Sequence, residues 1–216
     1  MRLLIISVLT LLGFAGARAQ EPLNARYVFE NLESPALDLV DKTTRMDMAD
    51  YAEAHRAYEA TNRMAGIARL DTLGQVYARF RISQASEGQL LILPGKKGSV
   101  VALVYTIGTQ GKDSELLMYD SALKPMKVNK IFTPPLLKDF LKPEVVKDKK
   151  LLSRLDQMLP FIASTYTLDP QTDTLTAHLS TDDILSEEDQ QTLERYLSAT
   201  PVVYHWTGTR FTRVRQ

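Results

Sequence analysis

Cysteine is absent from all 216 residues. The fold therefore has no disulfide to lean on, and no lipid-modified Cys can follow an N-terminal leader. Histidine is almost as scarce, at three residues, and none sits in an H-E-x-x-H arrangement, so the zinc-hydrolase motif is missing. There is no G-x-S-x-G nucleophile elbow, no G-x-x-x-x-G-K phosphate loop and no G-x-G-x-x-G dinucleotide turn. Glycines are few and scattered among turns. The acidic stretches "DPQTD" (Asp169–Asp173) and "TDDILSEED" (Thr181–Asp189) lack the D-x-[DN]-x-[DN]-G spacing that wraps calcium. No metal or cofactor is predicted.

Excess charge of one sign is also missing. Lys plus Arg and Asp plus Glu each total 26, which gives no basic footprint for nucleic acid. Charge is uneven only locally. Lys124 to Lys150 holds eight lysines against Asp139, Glu144 and Asp148, while Asp169 to Arg195 is strongly acidic. Both are expected to be solvated faces; the sharper reading of the first is a surface for an anionic envelope glycan or lipid head group. Beyond the first segment no apolar run is long enough to span a bilayer.

That first segment, "MRLLIISVLTLLGFAGARA", has a positive start at Arg2, an apolar core at Leu3–Leu12 and the small-x-small site Ala17-Arg18-Ala19. This order predicts a secretory signal peptide over residues 1–19, cleaved near Ala19-Gln20. The mature chain is expected to be exported, periplasmic or secreted, and soluble.

Residues 20–34 read as an arm. Ser34-Pro35 opens a short helix with Leu37 and Val40 inward, and Thr43 or Thr44 caps a second helix running to about Asn62. "VYARFRIS" (Val76–Ser83), "QLLILP" (Gln89–Pro94), "SVVALVYTIG" (Ser99–Gly108) and "ELLMYD" (Glu115–Asp120) predict an antiparallel meander joined by glycine-bearing turns. Residues 124–148, broken by Pro125, Pro134, Pro135 and Pro143, form a connector with one helical turn at Leu136–Leu141. "LLSRLDQMLPFI" predicts a helix with Leu151, Leu152, Leu155, Met158 and Leu159 in one stripe. "STYTLDPQTDTLTAHLS" predicts a hairpin, Ser186 caps another helix, and "VVYHWTGTRFTRV" closes the chain as a hairpin around Thr207-Gly208. The fold class is α+β: a largely antiparallel sheet, a meander plus two hairpins, with helices packed on one face. It forms one domain over 20–216, or two lobes (34–123 and 149–216) joined by the lysine- and proline-rich connector 124–148.

"RMDMADYAEAH" (Arg45–His55) gathers three carboxylates, a tyrosine and a histidine. A helical site needs its groups at i,i+3 or i,i+4. On a helical wheel Met48, Tyr51, Ala52 and His55 share one side, while Asp47, Asp50 and Glu53 spread over another. His55 is thus expected partly buried among tyrosines, with the acids as a wet stripe. In the last hairpin, Tyr204, Trp206 and Phe211 cluster, either as core or as a stacking surface for sugar or peptide, and His205 faces solvent.

The exported N-terminus, "TTRMDMADY" (Thr43–Tyr51), "ATNRM" (Ala60–Met64), "SELLMYDSALKP" (Ser114–Pro125) and "WTGTRF" (Trp206–Phe211) resemble the bacterial family known as domain of unknown function 3256. The resemblance implies export and a shared fold but no activity. It makes Arg45, Asp47 and Asp50 the matched polar positions. The functional expectation is a non-catalytic binding or accessory protein of the cell envelope, using Arg45, Asp47, Asp50, Tyr204, Trp206 or Phe211 toward a glycan, peptide or protein. The alternatives are a carboxylate-based hydrolase using Asp47 and Asp50, and an inhibitor of a secreted hydrolase.

Overall fold

The runs "QLLILP" and "VVALVY" have no polar side, and the architecture explains why. The structure, a computed structural model, describes residues 23–159, 161–182 and 184–214. The expected signal peptide lies outside them. Six strands form an antiparallel meander in sequence order: β1 (Ala60–Thr61), β2 (Ile67–Leu73), β3 (Tyr77–Ser83), β4 (Ser86–Leu93), β5 (Val100–Ile107) and β6 (Asp113–Tyr119). Side chains alternate across a strand. Leu90 and Ile92 of β4, with Val101 and Leu103 of β5, enter one core; Leu91, Leu93, Ala102 and Val104 enter another on the opposite face. Central strands covered on both sides are apolar along nearly their whole length, which is what those runs encode, with Gln89 as the buried polar exception.

The first face is covered by α1 (Ala25–Asn31), a 3-10 turn at Pro35–Leu37 and α2 (Lys42–Glu53). Residues 20–34 are therefore not simply an arm. Asn24 Oδ1 accepts from Tyr27 N–H at 2.7 Å and caps α1, and Ala25, Val28, Phe29 and Leu32 recur at i, i+3, i+4 and i+7 and are fully buried. The Phe29 and Phe80 rings meet at 5.3 Å. Burying a side chain of this size contributes about 1.5–3 kcal/mol. Ser34 caps the 3-10 turn as expected, and Leu37 and Val40 face inward.

The second face is covered by a separate four-stranded antiparallel sheet of order β10-β9-β8-β7, built from β7 (Ala163–Asp169), β8 (Thr174–Ser180), β9 (Val202–Trp206) and β10 (Phe211–Arg213). The two predicted hairpins thus form one sheet laid against the meander. Its outer edge at β7 meets the face of the first sheet. Ser164 N–H donates to Asp113 Oδ1 (2.9 Å), Tyr166 N–H to Ser114 Oγ (3.0 Å) and Leu168 N–H to Gln89 Oε1 (3.0 Å), while Gln89 Nε2 donates to Tyr166 O (3.3 Å). Side chains of β4 and β6 therefore satisfy the edge backbone that an unpaired strand leaves open.

The connector supplies α3 (Leu137–Phe140) and α4 (Pro143–Lys147), followed by α5 (Lys149–Met158). α3 matches the expected helical turn. Ile131, Phe132 and Phe140 of this segment lie in the core between the sheets, so segments 34–123 and 149–216 meet around it. Leu155 of α5 and Leu159, just past its end, pack with Leu193 of α6 (Glu187–Glu194), whose cap is Ser186 as predicted.

Two further expectations change. Gly88 is not a turn residue but sits within β4 opposite Phe80, where a Cβ would lie 2.2 Å from the ring. α2 starts at the cap Asp41, which accepts from Thr44 N–H at 3.0 Å, and stops at Glu53 rather than near Asn62. At its end His55 N–H donates to Ala52 O and Arg56 N–H to Tyr51 O, with His55 left-handed at φ 53°. This is the Schellman closure, which usually employs glycine.

Candidate functional site

The acids of α2 do not form a free stripe. Arg26, from the unexpected helix α1, donates through Nη2 to Asp50 Oδ1 (2.5 Å), through Nη1 to Glu53 Oε2 (2.5 Å) and through Nε to Glu30 Oε1 (2.8 Å). Asp50 and Glu53, three residues apart, thus converge on one point after all, and that point is a guanidinium. The hydrogen bond to Asp50, opposed by burial and aided by the charges of Glu30 and Glu53, raises the pKa of Arg26. Asp47 is exposed on the same helix.

Arg45 points the other way. It is buried, and its Nη1 donates to Phe29 O (3.0 Å) and Leu32 O (2.8 Å), the carbonyls that end α1. A helix leaves its last carbonyls without partners and its C-terminus slightly negative, so a guanidinium there both caps and neutralises. Burial lowers the Arg45 pKa, against the pull of Asp41 and Asp38. Two of the three matched polar positions therefore fasten α1 to α2. Asn62, in the matched "ATNRM", is also buried: its Nδ2 donates to Ile82 O (2.6 Å), and its Oδ1 accepts from Met64 and Gly66 N–H (2.9 Å each) to shape the β1–β2 turn.

Tyr204, Trp206 and Phe211 lie in the core between the sheets, about 5% exposed or less. The Phe132 ring meets those of Tyr166 (5.5 Å), Tyr204 (4.9 Å) and Phe211 (6.3 Å), and Trp206 Nε1 donates to Pro94 O at 2.6 Å. Burial pushes the phenols of Tyr166 and Tyr204 up to about 12. These rings fill the interior and leave no stacking surface. His205 is exposed, as its strand alternation predicted. Among the described residues no three His, Asp or Glu side chains gather as a metal site.

His55 is exposed rather than buried among tyrosines, because its left-handed backbone carries it off the helix. The chain it redirects builds a cleft of about 550 Å³ between the end of α2 and strand β2. His55, Arg56, Tyr58 and Glu59 line one side, with Arg69, Asp71 and Thr72 on the other. Tyr58 stacks on Tyr51, rings parallel within 8° and 4.4 Å apart, and the Arg56 guanidinium sits 5.0 Å from the Tyr51 ring centre. Such cation–ring contact holds an arginine in place without neutralising it.

On the β2 side a bulge between Leu70 and Thr72 leaves Asp71 without a cross-strand partner. Bulges re-aim side chains. Here Asp71 bridges two arginines that the register places directly opposite each other, Arg69 (2.7 Å) and Arg81 (3.5 Å). Like charges in that position repel, so the carboxylate is required where it stands. Farther along the sheet face, burial pushes the Glu87 carboxyl up, but bonds and charges from Lys112 and Arg79 outweigh it and hold the pKa below its usual value. Of the cleft residues, only His55 stands out in the sequence. The further signal available was Tyr51 and Tyr58, and β2 itself is hidden there because its bulge breaks the alternation.

No helix among the described residues is long and apolar enough to cross a membrane. No curated protein matches the chain in sequence. A solved structure that resembles it is a domain of an uncharacterized protein from Porphyromonas gingivalis W83, at 23% identity and a TM-score of 0.74 over 88% of this chain and 98% of that one. At that identity the likeness shows the fold alone. The profile of the family described as protein of unknown function (DUF3256) matches residues 18–211, and the chain belongs to that family.

Proposed function

We propose that this chain is an exported, non-catalytic binding protein of the bacterial envelope, and that its ligand seat is the cleft between α2 and β2. The observation that carries this reading is the cleft's lining. Arg56 is oriented by a tyrosine ring, Tyr58 offers a stacked aromatic wall, and Arg69 stands on the opposite wall, paired with a bulged aspartate of its own strand. Aromatic faces suit sugar rings, and fixed guanidinium groups suit carboxylates, so an acidic glycan matches both walls. Export is supported by the order of charge, apolar core and small-x-small site at the N-terminus. The hydrolase alternative has weaker support, because Asp50 is already engaged by Arg26.

Calorimetric titration of the mature chain with acidic and neutral envelope glycans tests the proposal. Acidic glycans are expected to bind, less tightly as salt rises, and Arg56→Ala and Tyr58→Ala are each expected to weaken binding about tenfold. No binding at millimolar glycan, or binding that both variants leave untouched, would refute it.

A further inference from the structure

A second surface, distant in character from the cleft, follows from comparing the four sheet edges. β1 is only two residues long. The β7 edge is occupied by Asp113, Ser114 and Gln89. At β10, Phe211 N–H donates to Ile131 O at 2.9 Å. The β6 edge is closed at one end only, where Met126 N–H donates to Met118 O (2.8 Å) and Pro125 bridges Tyr119. From Asp113 to Leu117 no other backbone hydrogen-bonds to the outer side of the strand among the described residues. Since the Met118 carbonyl points outward and the register with β5 is unbroken, the backbone groups of Leu116 and Ser114 point outward as well.

Beside this edge runs a groove of about 640 Å³, lined by Ser114, Leu116, Val128, Phe132, Pro134 and Tyr166 on its apolar side. Among the described residues the only charged side chains lining it are Asp113 and Glu115, and Glu115 is exposed. Val128, Asn129, Phe132, Thr133 and Pro134 form the wall of the groove that faces β6.

We propose that this groove receives an extended peptide, which pairs with Ser114–Leu116 as a seventh strand of the first sheet. The peptide alternates apolar residues, which enter the groove beside Leu116 and Phe132, with basic residues, which lie beside Glu115. Main-chain bonds supply the affinity and the alternation supplies the choice of sequence.

The test uses the mature chain and a nine-residue peptide of alternating lysine and valine, capped at both ends. Titration is expected to give one-to-one binding, with shifts and slowed exchange at the Ser114 and Leu116 amides. N-methylation of alternate peptide amides is expected to weaken binding at least about tenfold, because it removes the pairing donors. Glu115→Lys, an exposed change that leaves the fold alone, is expected to reverse the preference toward a glutamate–valine peptide. Three outcomes overturn the proposal: no shift at Ser114–Leu116 at millimolar peptide; affinity indifferent to N-methylation; or concentration-dependent dimerisation that protects the same amides without peptide, which would assign the edge to a second copy of the chain.

Discussion

The first sheet is covered on one face by helices and on the other by a sheet, and the two covers are fastened by different chemistry. α1 and α2 satisfy their own backbone except at the ends, so their polar fastenings are end caps, Asn24 and Asp41 at the starts and Arg45 at the carbonyls of α1, together with the Arg26 ion pairs to Asp50 and Glu53 that tie the two helices. The second sheet arrives with an open edge, so its fastenings run along a strand, from Asp113, Ser114 and Gln89 to alternate N–H groups of β7. A helix needs partners at two points, while a docked sheet needs one for every second residue. The cores differ accordingly. Beneath the helices the packing is mainly aliphatic around Phe29 and Phe80, whereas between the sheets it is a chain of aromatic rings centred on Phe132.

The harshest way to break this contrast is to strike the strand that both covers share. Gly88→Val brings in a Cβ that would stand 2.2 Å from the Phe80 ring, in backbone that already pairs on both sides. Overpacking of this kind, with no room to relax, is expected to cost more than about 4 kcal/mol and to abolish cooperative unfolding in a thermal melt. A protein that melts normally would mean that the ring has somewhere else to go.

The comparison is sharpened by removing one fastening from each cover. Arg45→Ala leaves the carbonyls of Phe29 and Leu32 without their donor, and Gln89→Ala leaves Leu168 N–H and Tyr166 O unpaired. Each is expected to cost about 2–3 kcal/mol in denaturant unfolding. Hydrogen exchange should separate them: the first variant speeds exchange in α1 and spares β7 and β8, and the second does the reverse. Equal loosening on both faces in either variant would show that the covers are not independently fastened.

The smallest effect at neutral pH belongs to the phenols. Burial holds Tyr166 and Tyr204 at about 12 in the folded chain, above the ordinary value of 10. Below pH 10 both are neutral whether folded or not, and their contribution is fully present. As pH rises from 10 toward 12 the unfolded chain ionises first, so stability is lost in that window. Phenolate absorbance should therefore appear together with loss of the core between the sheets, and Tyr166→Phe combined with Tyr204→Phe should move the transition to higher pH. The helix face contributes a buried phenol of its own, Tyr119, whose pKa burial also raises and whose hydroxyl donates to Ser34 Oγ at 2.8 Å.

Where a local pattern decides structure, the sequence was legible. The alternation of Ala78, Phe80 and Ile82 in β3, the Asp169–Asp173 turn and the Ser186 cap all follow from period and capping alone, whereas period puts Tyr204 and Trp206 on one face without deciding between core and stacking surface. The helix α1 was legible too, in Asn24 and the spacing of Ala25, Val28, Phe29 and Leu32, but Pro22 and a mixed composition hid it. Arg26 sits on α1, so only with that helix in place do the acids of α2 have their partner. The end of α2 carried no punctuation, since a histidine occupies the left-handed position that glycine normally marks. The candidate cleft depends on that turn and on the bulge at Asp71, neither of which has a periodic signature. The edge fastenings join residues 51 to 79 positions apart, a pairing that no local window contains.

One consequence of the β7 edge concerns alignment. Ser164, Tyr166 and Leu168 offer donors at every second position to three side chains of fixed place. A slide by one residue would present the wrong side of the strand to all three at once, and a slide by two would strand one donor over apolar ground. The two sheets are therefore indexed like a key in a lock with three pins, seated in one setting or not seated at all.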